Sequence, residues 1–396
     1  MPVRDAARTS ILSSKWRIIW TTISQLVLGN QFFEETFRVK PIVHHDLTKA
    51  VDKILLRRNG PIRKFVLRLP VLPLNCSSDI DHWILFLSRN GIEDFTLDNS
   101  RNTLYKMHSC IYSCRELTHL KLANCILNPP RELSGFQKVI QLDFDRVTFV
   151  NNMLRTLLSS SRLLERLIIK HCSGIGQLNI RAGNLKGLIM NSNNGMESLS
   201  FVDTPKLWYC VIALGEAMES GTRGPDLRAE FLVDLPRVSV LFLDRFSLKL
   251  LAAGGGPGRH PTKFTLVKEL TLHGMVFSDL DVFSCSLSLI RSCPNLMKLI
   301  IVFCPTTDLV VEQVANYFKQ PACMDQTLAK LLSVKIYCLK GLKPQLRLIK
   351  LLLACSPKLE TMFVHLCSQL DVNEGFKISK ELSQYPRLSP KAAVKY

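Results

Sequence analysis

The sequence predicts an α/β fold of one particular kind: a solenoid with parallel strands on its concave face and helices and loops on its convex face. Three observations predict it. The pattern apolar-x-x-apolar-x-apolar-x-x-(Cys, Asn or apolar) recurs in ten copies between residues 117 and 367. The step from one copy to the next runs from 21 to 35 residues. Composition is that of a folded chain with a large core, 47% hydrophobic and 21% charged over 396 residues.

Each copy justifies its own strand. Two faint ones come first, Ile62, Phe65, Leu67 and then Ile92, Phe95, Leu97, Ser100. The clear series starts at Leu117, Leu120, Leu122, Cys125 and continues through Val139, Leu142, Phe144, Val147. Next are Leu164, Leu167, Ile169, Cys172, then Leu185, Leu188, Met190, Asn193, then the weaker Leu207, Cys210, Ile212. Val238, Leu241, Leu243, Phe246 and Val267, Leu270, Leu272, Met275 follow. The last are Leu296, Leu299, Ile301, Cys304, then Leu331, Val334, Ile336, Leu339, then Leu359, Met362, Val364, Cys367. The apolar-x-apolar centre has the period of a strand, so both apolar side chains point to one side. A Cys or Asn at the bend is small and sits close to turning backbone. One such unit cannot bury its apolar face alone, whereas a stack of them can, and the step matches leucine-rich repeats with insertions. The intervening segments, such as Phe149–Ser161 and Phe283–Ser292, read as convex-side helices. The glycine-rich stretch Ala252–Pro261 and the stretch Gly221–Pro225 read as loops, and neither has the Gly-Lys-Ser/Thr of a phosphate loop.

Charge is concentrated at the ends. Residues 1–68 hold 13 basic and 5 acidic side chains, and residues 340–396 hold 10 and 4, within a total of +18. No long Lys/Arg run or basic–aromatic interleaving accompanies this, so a nucleic-acid partner is not expected. No stretch reaches the roughly 18 apolar residues of a membrane span, so no membrane partner is expected. The 13 cysteines, without a secretory leader before them, read as reduced and buried small hydrophobes.

The start reads Val3-Arg-Asp-Ala-Ala-Arg-Thr-Ser-Ile-Leu-Ser-Ser-Lys-Trp-Arg-Ile-Ile-Trp20. Trp16 and Trp20 are four apart on a basic helical stretch, a spacing typical of core or interface anchors. This stretch resembles the second half of the plant F-box motif, whose first half is expected ahead of Met1. Near the other end, Cys355-Ser-Pro-Lys-Leu-Glu-Thr-Met and Tyr385-Pro-Arg-Leu-Ser-Pro-Lys-Ala-Ala-Val-Lys-Tyr396 resemble the FBD region. Start, repeats and end follow the order of plant F-box/FBD/leucine-rich-repeat proteins. The expected organisation is a partial F-box and linker at 1–40, a repeat array at 41–350, and an FBD-like region continuing the array at 351–396.

The resemblance implies a substrate-recognition subunit of an SCF-type cullin–RING E3 ubiquitin ligase. It implies a Skp-family adaptor, and through it a cullin scaffold, bound at Leu12, Trp16 and Trp20. A target protein would be held by the repeats, and the work would be done in the nucleus or the cytoplasm. The other reading is a leucine-rich-repeat interaction scaffold that has lost adaptor binding with the front of the F-box.

Catalysis finds little support in the residues. His44 and His45 are adjacent, no His-Glu-x-x-His or Cys-x-x-Cys occurs, and no Gly-x-Ser-x-Gly elbow is present. Cys110 and Cys114 near His108 are expected to be ordinary packing, and Glu34-Glu35 a solvated pair. No enzyme activity, cofactor or metal is expected. Binding residues follow from the strand pattern instead. The residue between each inward pair faces the concave side, and the middle of that row is apolar: Ile168, Ile189, Val211, Phe242 and Ile300. Arg166 and Tyr209, two positions earlier on their strands, flank it. These seven are the candidate target-binding residues.

Overall fold

Most of the main strands alternate buried and open side chains, and several end directly in a bend with left-handed backbone. The computed structural model describes residues 20–36, 44–71, 77–100, 103–130, 133–193, 196–215, 235, 237–253, 264–304, 312–318 and 327–396. Two compact units divide the chain, Met1–Pro205 and Lys206–Tyr396.

The first unit contains β1 (Gln25–Leu28), α1 (Asn30–Thr36), α2 (His44–Leu56), β2 (Lys64–Arg68), α3 (Ser77–Arg89), β3 (Asp94–Asp98) and β4 (Tyr105–Lys106). It continues with β5 (His119–Ala123), β6 (Cys125–Leu127), β7 (Gln141–Asp145), β8 (Thr148–Phe149) and α4 (Leu154–Ser160). It ends with β9 (Arg166–Lys170), β10 (Gly176–Arg181), β11 (Gly187–Asn191) and β12 (Met196–Val202). The main sheet runs β1-β2-β3-β5-β7-β9-β11, with every pair parallel. Its register aligns the repeat positions. Leu26, Phe65, Phe95, Leu120, Leu142, Leu167 and Leu188 form one buried row across the strands. Phe65 and Phe95 stack within it at 6.2 Å. Burying a side chain of this size contributes roughly 1.5–3 kcal/mol, so stacked rows are the main source of stability.

The bends repeat as well. Asn124, Arg146, His171 and Ser192 each follow a main strand directly and have φ of 58°, 52°, 53° and 48°. The first three donate their N–H groups to Asp145, Lys170 and Asn191 carbonyls at 2.8–2.9 Å, which ties each bend to the next repeat. The residue after the bend then turns inward: Cys125, Val147, Cys172 and Asn193 are buried. Past the bends lie two small parallel sheets, β4-β6-β8 and β10-β12, which the repeat pattern does not announce. Gly174 is required in this region. Its φ is +70°, and a Cβ there would stand 2.0 Å from the Phe149 carbonyl oxygen.

The second unit contains β13 (Tyr209–Ala213), β14 (Val240–Asp244), α5 (Arg245–Ala253), β15 (Glu269–Met275), α6 (Leu280–Arg291), β16 (Lys298–Phe303) and α7 (Glu312–Tyr317). It closes with β17 (Ser333–Leu339), α8 (Lys343–Cys355), β18 (Thr361–Leu366), α9 (Val372–Ser383) and β19 (Ala393–Lys395). These strands form a parallel sheet in sequence order from β13 to β19. Cys210, Leu241, Leu270, Leu299, Val334 and Met362 make its inner row, and α5 packs against β13, β14 and β15. Asp279 caps α6 by accepting the Asp281 and Val282 N–H groups at 3.0 and 3.1 Å.

The predicted solenoid of parallel strands and helices is therefore present in both units. The sheet starts at β1, which lies inside the 1–40 segment assigned to partial F-box and linker, because Ile23, Leu26 and Leu28 carry an unnoticed copy of the repeat spacing. The FBD-like segment supplies the last turn of α8, then β18, α9 and β19, in the same sheet. The expected helices at 149–161 and 283–292 appear as α4 after a short 3-10 turn and as α6. Of the expected loop at 252–261, Ala252 and Ala253 instead end α5, whose apolar face buries Leu248 and Leu251, while residues 254–261 and the expected loop at 221–225 lie outside the described residues.

Candidate functional site

Opposite the buried rows, each main sheet presents a second face with many half-buried and exposed side chains. Its composition follows from the residues between the inward pairs. In the first unit the register lines up Thr96, Lys121, Asp143, Ile168 and Ile189. In the second it lines up Val211, Phe242, Thr271, Ile300, Lys335 and Phe363.

The first unit's face changes character along the sheet. Lys64 pairs with Asp94 at 2.7 Å and Lys121 with Asp143 at 2.7 Å. Asp143 is only 8% exposed beneath its lysine, so the pair covers the sheet there. Asp145 meets Arg146 and the His171 ring at 3.0 Å each. Exposed pairs of this kind contribute little stability, under about 1 kcal/mol each, and mainly fill the surface. The face then becomes apolar. Ile168 and Ile189 are direct neighbours on β9 and β11, both half-buried, with exposed Arg166 on the same side of β9.

The second unit's face is mixed along its whole width. Val211 adjoins Phe242, and Thr271 separates Phe242 from Ile300. Phe242 stacks on the His273 ring at 5.9 Å. Tyr209 packs edge-on against Trp208, which is 51% exposed. Lys298 and Glu269 pair at 2.7 Å. At the far strands Lys335 and Lys395 stand 5.8 and 5.3 Å from the Phe363 ring, and Tyr337 stacks on His365 at 4.6 Å.

The structure thus brings the seven candidate residues into two groups, Arg166, Ile168 and Ile189 in one unit and Tyr209, Val211, Phe242 and Ile300 in the other. Half-buried aliphatic and aromatic side chains with Arg and Tyr beside them suit a protein partner. Sequence reasoning missed the aromatic–cation cluster around Phe363, because Lys395 lies on β19, which carries no full copy of the repeat. Of the candidate adaptor residues, Leu12 and Trp16 lie outside the described residues. Trp20 begins a 3-10 turn, Trp20–Thr22.

Little here is arranged for catalysis. Cys110 N–H donates to His108 Nδ1 at 3.3 Å, with Cys110 Sγ at 2.9 Å from the same nitrogen, which is a turn cap. Burial pushes the Cys110 thiol up, away from a reactive thiolate. The thiols of Cys114, Cys125, Cys172, Cys210, Cys285 and Cys293 are pushed up to about 12 by burial. Glu35 takes a hydrogen bond from Gln31 at 3.1 Å on the surface of α1. Among the described residues no group of three His, Cys, Asp or Glu side chains is placed to hold a metal ion. Among them, too, no helix is long and apolar enough to cross a membrane.

Comparison with known proteins agrees with this geometry. A family model described as "FBD-associated F-box protein At5g56370, LRR repeats" matches residues 80–229. The F-box/FBD/LRR-repeat protein At1g13570 of Arabidopsis thaliana is 31% identical over 397 residues, covering 100% of this chain and 94% of that protein. F-box/LRR-repeat protein 13 of the same plant is 24% identical over 440 residues, covering 100% of this chain and 92% of its own length. The F-box/FBD/LRR-repeat protein At5g56420, also from Arabidopsis thaliana, is 24% identical over 220 residues, or 52% of this chain and 50% of its own.

Proposed function

The chain belongs to the F-box/FBD/leucine-rich-repeat family, and from that premise we propose that it is the substrate-recognition subunit of an SCF-type cullin–RING E3 ubiquitin ligase. It makes and breaks no covalent bond. The segment with Leu12, Trp16 and Trp20 docks on a Skp-family adaptor, which links it to the cullin scaffold. The open faces of the repeat sheets hold the target protein. On this reading it works in the nucleus or the cytoplasm.

The observation that carries the reading is the full-length likeness to a protein whose name joins F-box, FBD and repeats. The faces add physical support. Ile168 beside Ile189, and Phe242 between Val211 and Thr271, offer apolar contact area that a rigid parallel sheet presents in fixed register. Such preorganisation lowers the entropic cost of holding a partner.

Co-purification with a Skp-family adaptor tests it. The adaptor is expected to co-purify with the wild-type chain and to be lost from the Leu12→Ala/Trp16→Ala/Trp20→Ala variant. Failure of the wild-type chain to retain the adaptor removes the ligase reading and leaves an interaction scaffold. Ile168→Asp and Phe242→Asp are expected to keep the adaptor and lose the target. Retention of the target by both variants moves target binding off these faces.

A further inference from the structure

A cavity of about 440 Å³ opens in the first unit between α4 and β10, and its lining is basic. Local sequence logic puts three arginines around it. Arg155 is an exposed residue of α4, and Arg162 follows directly on that helix's C-cap, Ser161. On β10 the alternation buries Leu178 and Ile180, so Asn179 and Arg181 share the opposite side of the strand. Packing of α4 against β10 then collects all four side chains at one opening, over the buried Leu158.

These arginines differ from the paired lysines of the unit. Lys64, Lys121, Lys138 and Lys186 each have a carboxylate within 2.6–2.8 Å. The guanidinium groups of Arg155, Arg162 and Arg181 have no hydrogen bond or ion pair among the described residues. One carboxylate comes close: Asp203 Oδ2 stands 3.8 Å from where a Cβ on the lining residue Gly183 would lie. It pairs with none of the three.

The C-terminus of α4 faces the same opening, and free carbonyls there would repel an anion. Those of Thr156, Leu157 and Leu158 are already used. The Thr156 carbonyl accepts from Ser159 and Ser160 hydroxyls at 2.9 and 3.0 Å. The Leu157 carbonyl accepts from the Ser161 hydroxyl at 2.8 Å, and the Leu158 carbonyl from the Ser161 N–H at 3.1 Å. The side chains of the rim add donors: the guanidinium N–H groups and the Asn179 amide.

We propose that this cavity binds a phosphate monoester. A carboxylate has two oxygens and is satisfied by one guanidinium fork. A phosphate monoester brings three oxygens and nearly two charges, which suits several forks at once. The cavity is larger than a phosphate group alone, so it also accommodates part of whatever carries the ester. A phosphorylated side chain on a bound protein and a small soluble phosphate ester have this chemistry in common. The inference does not depend on adaptor binding.

The test is fluorescence polarisation of a labelled phosphoserine peptide with neutral flanks against the full chain. Phenyl phosphate and glucose 6-phosphate serve as competitors. The phosphorylated peptide is expected to bind, its unphosphorylated form not to bind, and phenyl phosphate to compete. Arg162→Gln and Arg181→Gln should each weaken binding roughly tenfold or more, as loss of a charge-assisted hydrogen bond predicts. The Arg155→Gln/Arg162→Gln/Arg181→Gln variant should abolish it. All three side chains are exposed, so the single variants should keep the wild-type thermal midpoint. A Lys343→Gln/Lys358→Gln/Lys391→Gln control removes equal charge from exposed positions elsewhere and should bind as wild type does. Tighter binding of the peptide than of either small ester assigns a protein-borne phosphate, and the reverse assigns a soluble ester. The proposal is overturned if no phosphate ester binds the wild-type chain, if the triple arginine variant binds equally well, or if the lysine control loses as much.

Discussion

Asn193 reaches back one repeat to Cys172: its Oδ1 accepts the Cys172 N–H at 2.9 Å, while its Nδ2 donates to the Ile169 carbonyl at 3.1 Å. Asn193 is 5% exposed. Two backbone groups of a buried bend therefore depend on one side chain of the next repeat. Where Cys occupies the same repeat position, its thiol makes the weaker contact, as between Cys172 Sγ and the Lys170 carbonyl at 3.2 Å.

Asn193→Ala is expected to cost roughly 2–3 kcal/mol, because it leaves a buried N–H and a buried carbonyl without partners. Urea unfolding of the variant against wild type measures this. A loss below about 0.5 kcal/mol, the scale of an ordinary surface change, means that water replaces the amide and the bend is not sealed.

Gly174→Ala is expected to cost roughly 2–4 kcal/mol, combining left-handed backbone strain with collision against Phe149. The Cβ would stand 2.0 Å from the Phe149 carbonyl oxygen, so the backbone of 149 or 174 must shift. Circular dichroism melting of the variant reads the loss, and an unchanged midpoint contradicts the close approach.

Stability should fall as the pH rises above about 9. The Cys210 thiol is held neutral in the fold, with its pKa pushed up to about 12 by burial, against 9.0 as the ordinary value. An acid with a raised folded pKa keeps its full contribution below the unfolded pKa. Between the two values the unfolded chain releases a proton that the folded chain retains, so stability drops. For this one thiol the loss is roughly 1.4 kcal/mol by pH 10. Urea midpoints at pH 7.5, 9 and 10 should show Cys210→Ala losing less than wild type over the alkaline step. Equal losses in the two proteins leave Cys210 out of the alkaline response.

Adjacent residues of β9 should respond oppositely to truncation. Leu167 is fully buried, and Leu167→Ala is expected to cost roughly 2–5 kcal/mol. Ile168, half-buried on the open face, leaves no sealed cavity when shortened, and Ile168→Thr should cost less than about 1 kcal/mol. Matched unfolding curves decide it. Equal losses mean that both faces of β9 are covered.

The strand rows were readable because each inward residue carries its own signal. Leu120 and Leu122, or Leu270 and Leu272, alternate with polar neighbours whatever lies around them, and the fixed step tells which strands stack. The open-face candidates came from the same alternation, so Ile168 and Ile189 could be placed side by side before any coordinates. β1 escaped notice because Ile23, Leu26 and Leu28 stand alone with no clear copy close before them. The small sheets escaped because β4, β6 and β8 are two or three residues long, too short for a period to show.

The amino-acid sequence by itself determined the repeat architecture, the inward rows and the side of each strand that is left open, since these depend on periods of two within a strand and on a regular step along the chain. Only the tertiary structure decided that Asp143 lies under Lys121, that Asn193 seals the bend at Cys172, and that Arg155, Arg162 and Arg181 surround one cavity. The physical reason is that such contacts join residues from different elements whose packing angles and side-chain directions no local pattern encodes. In the chain those three arginines look like solvated surface, and it takes the packing of α4 on β10 to turn them into a concentration of unpaired positive charge.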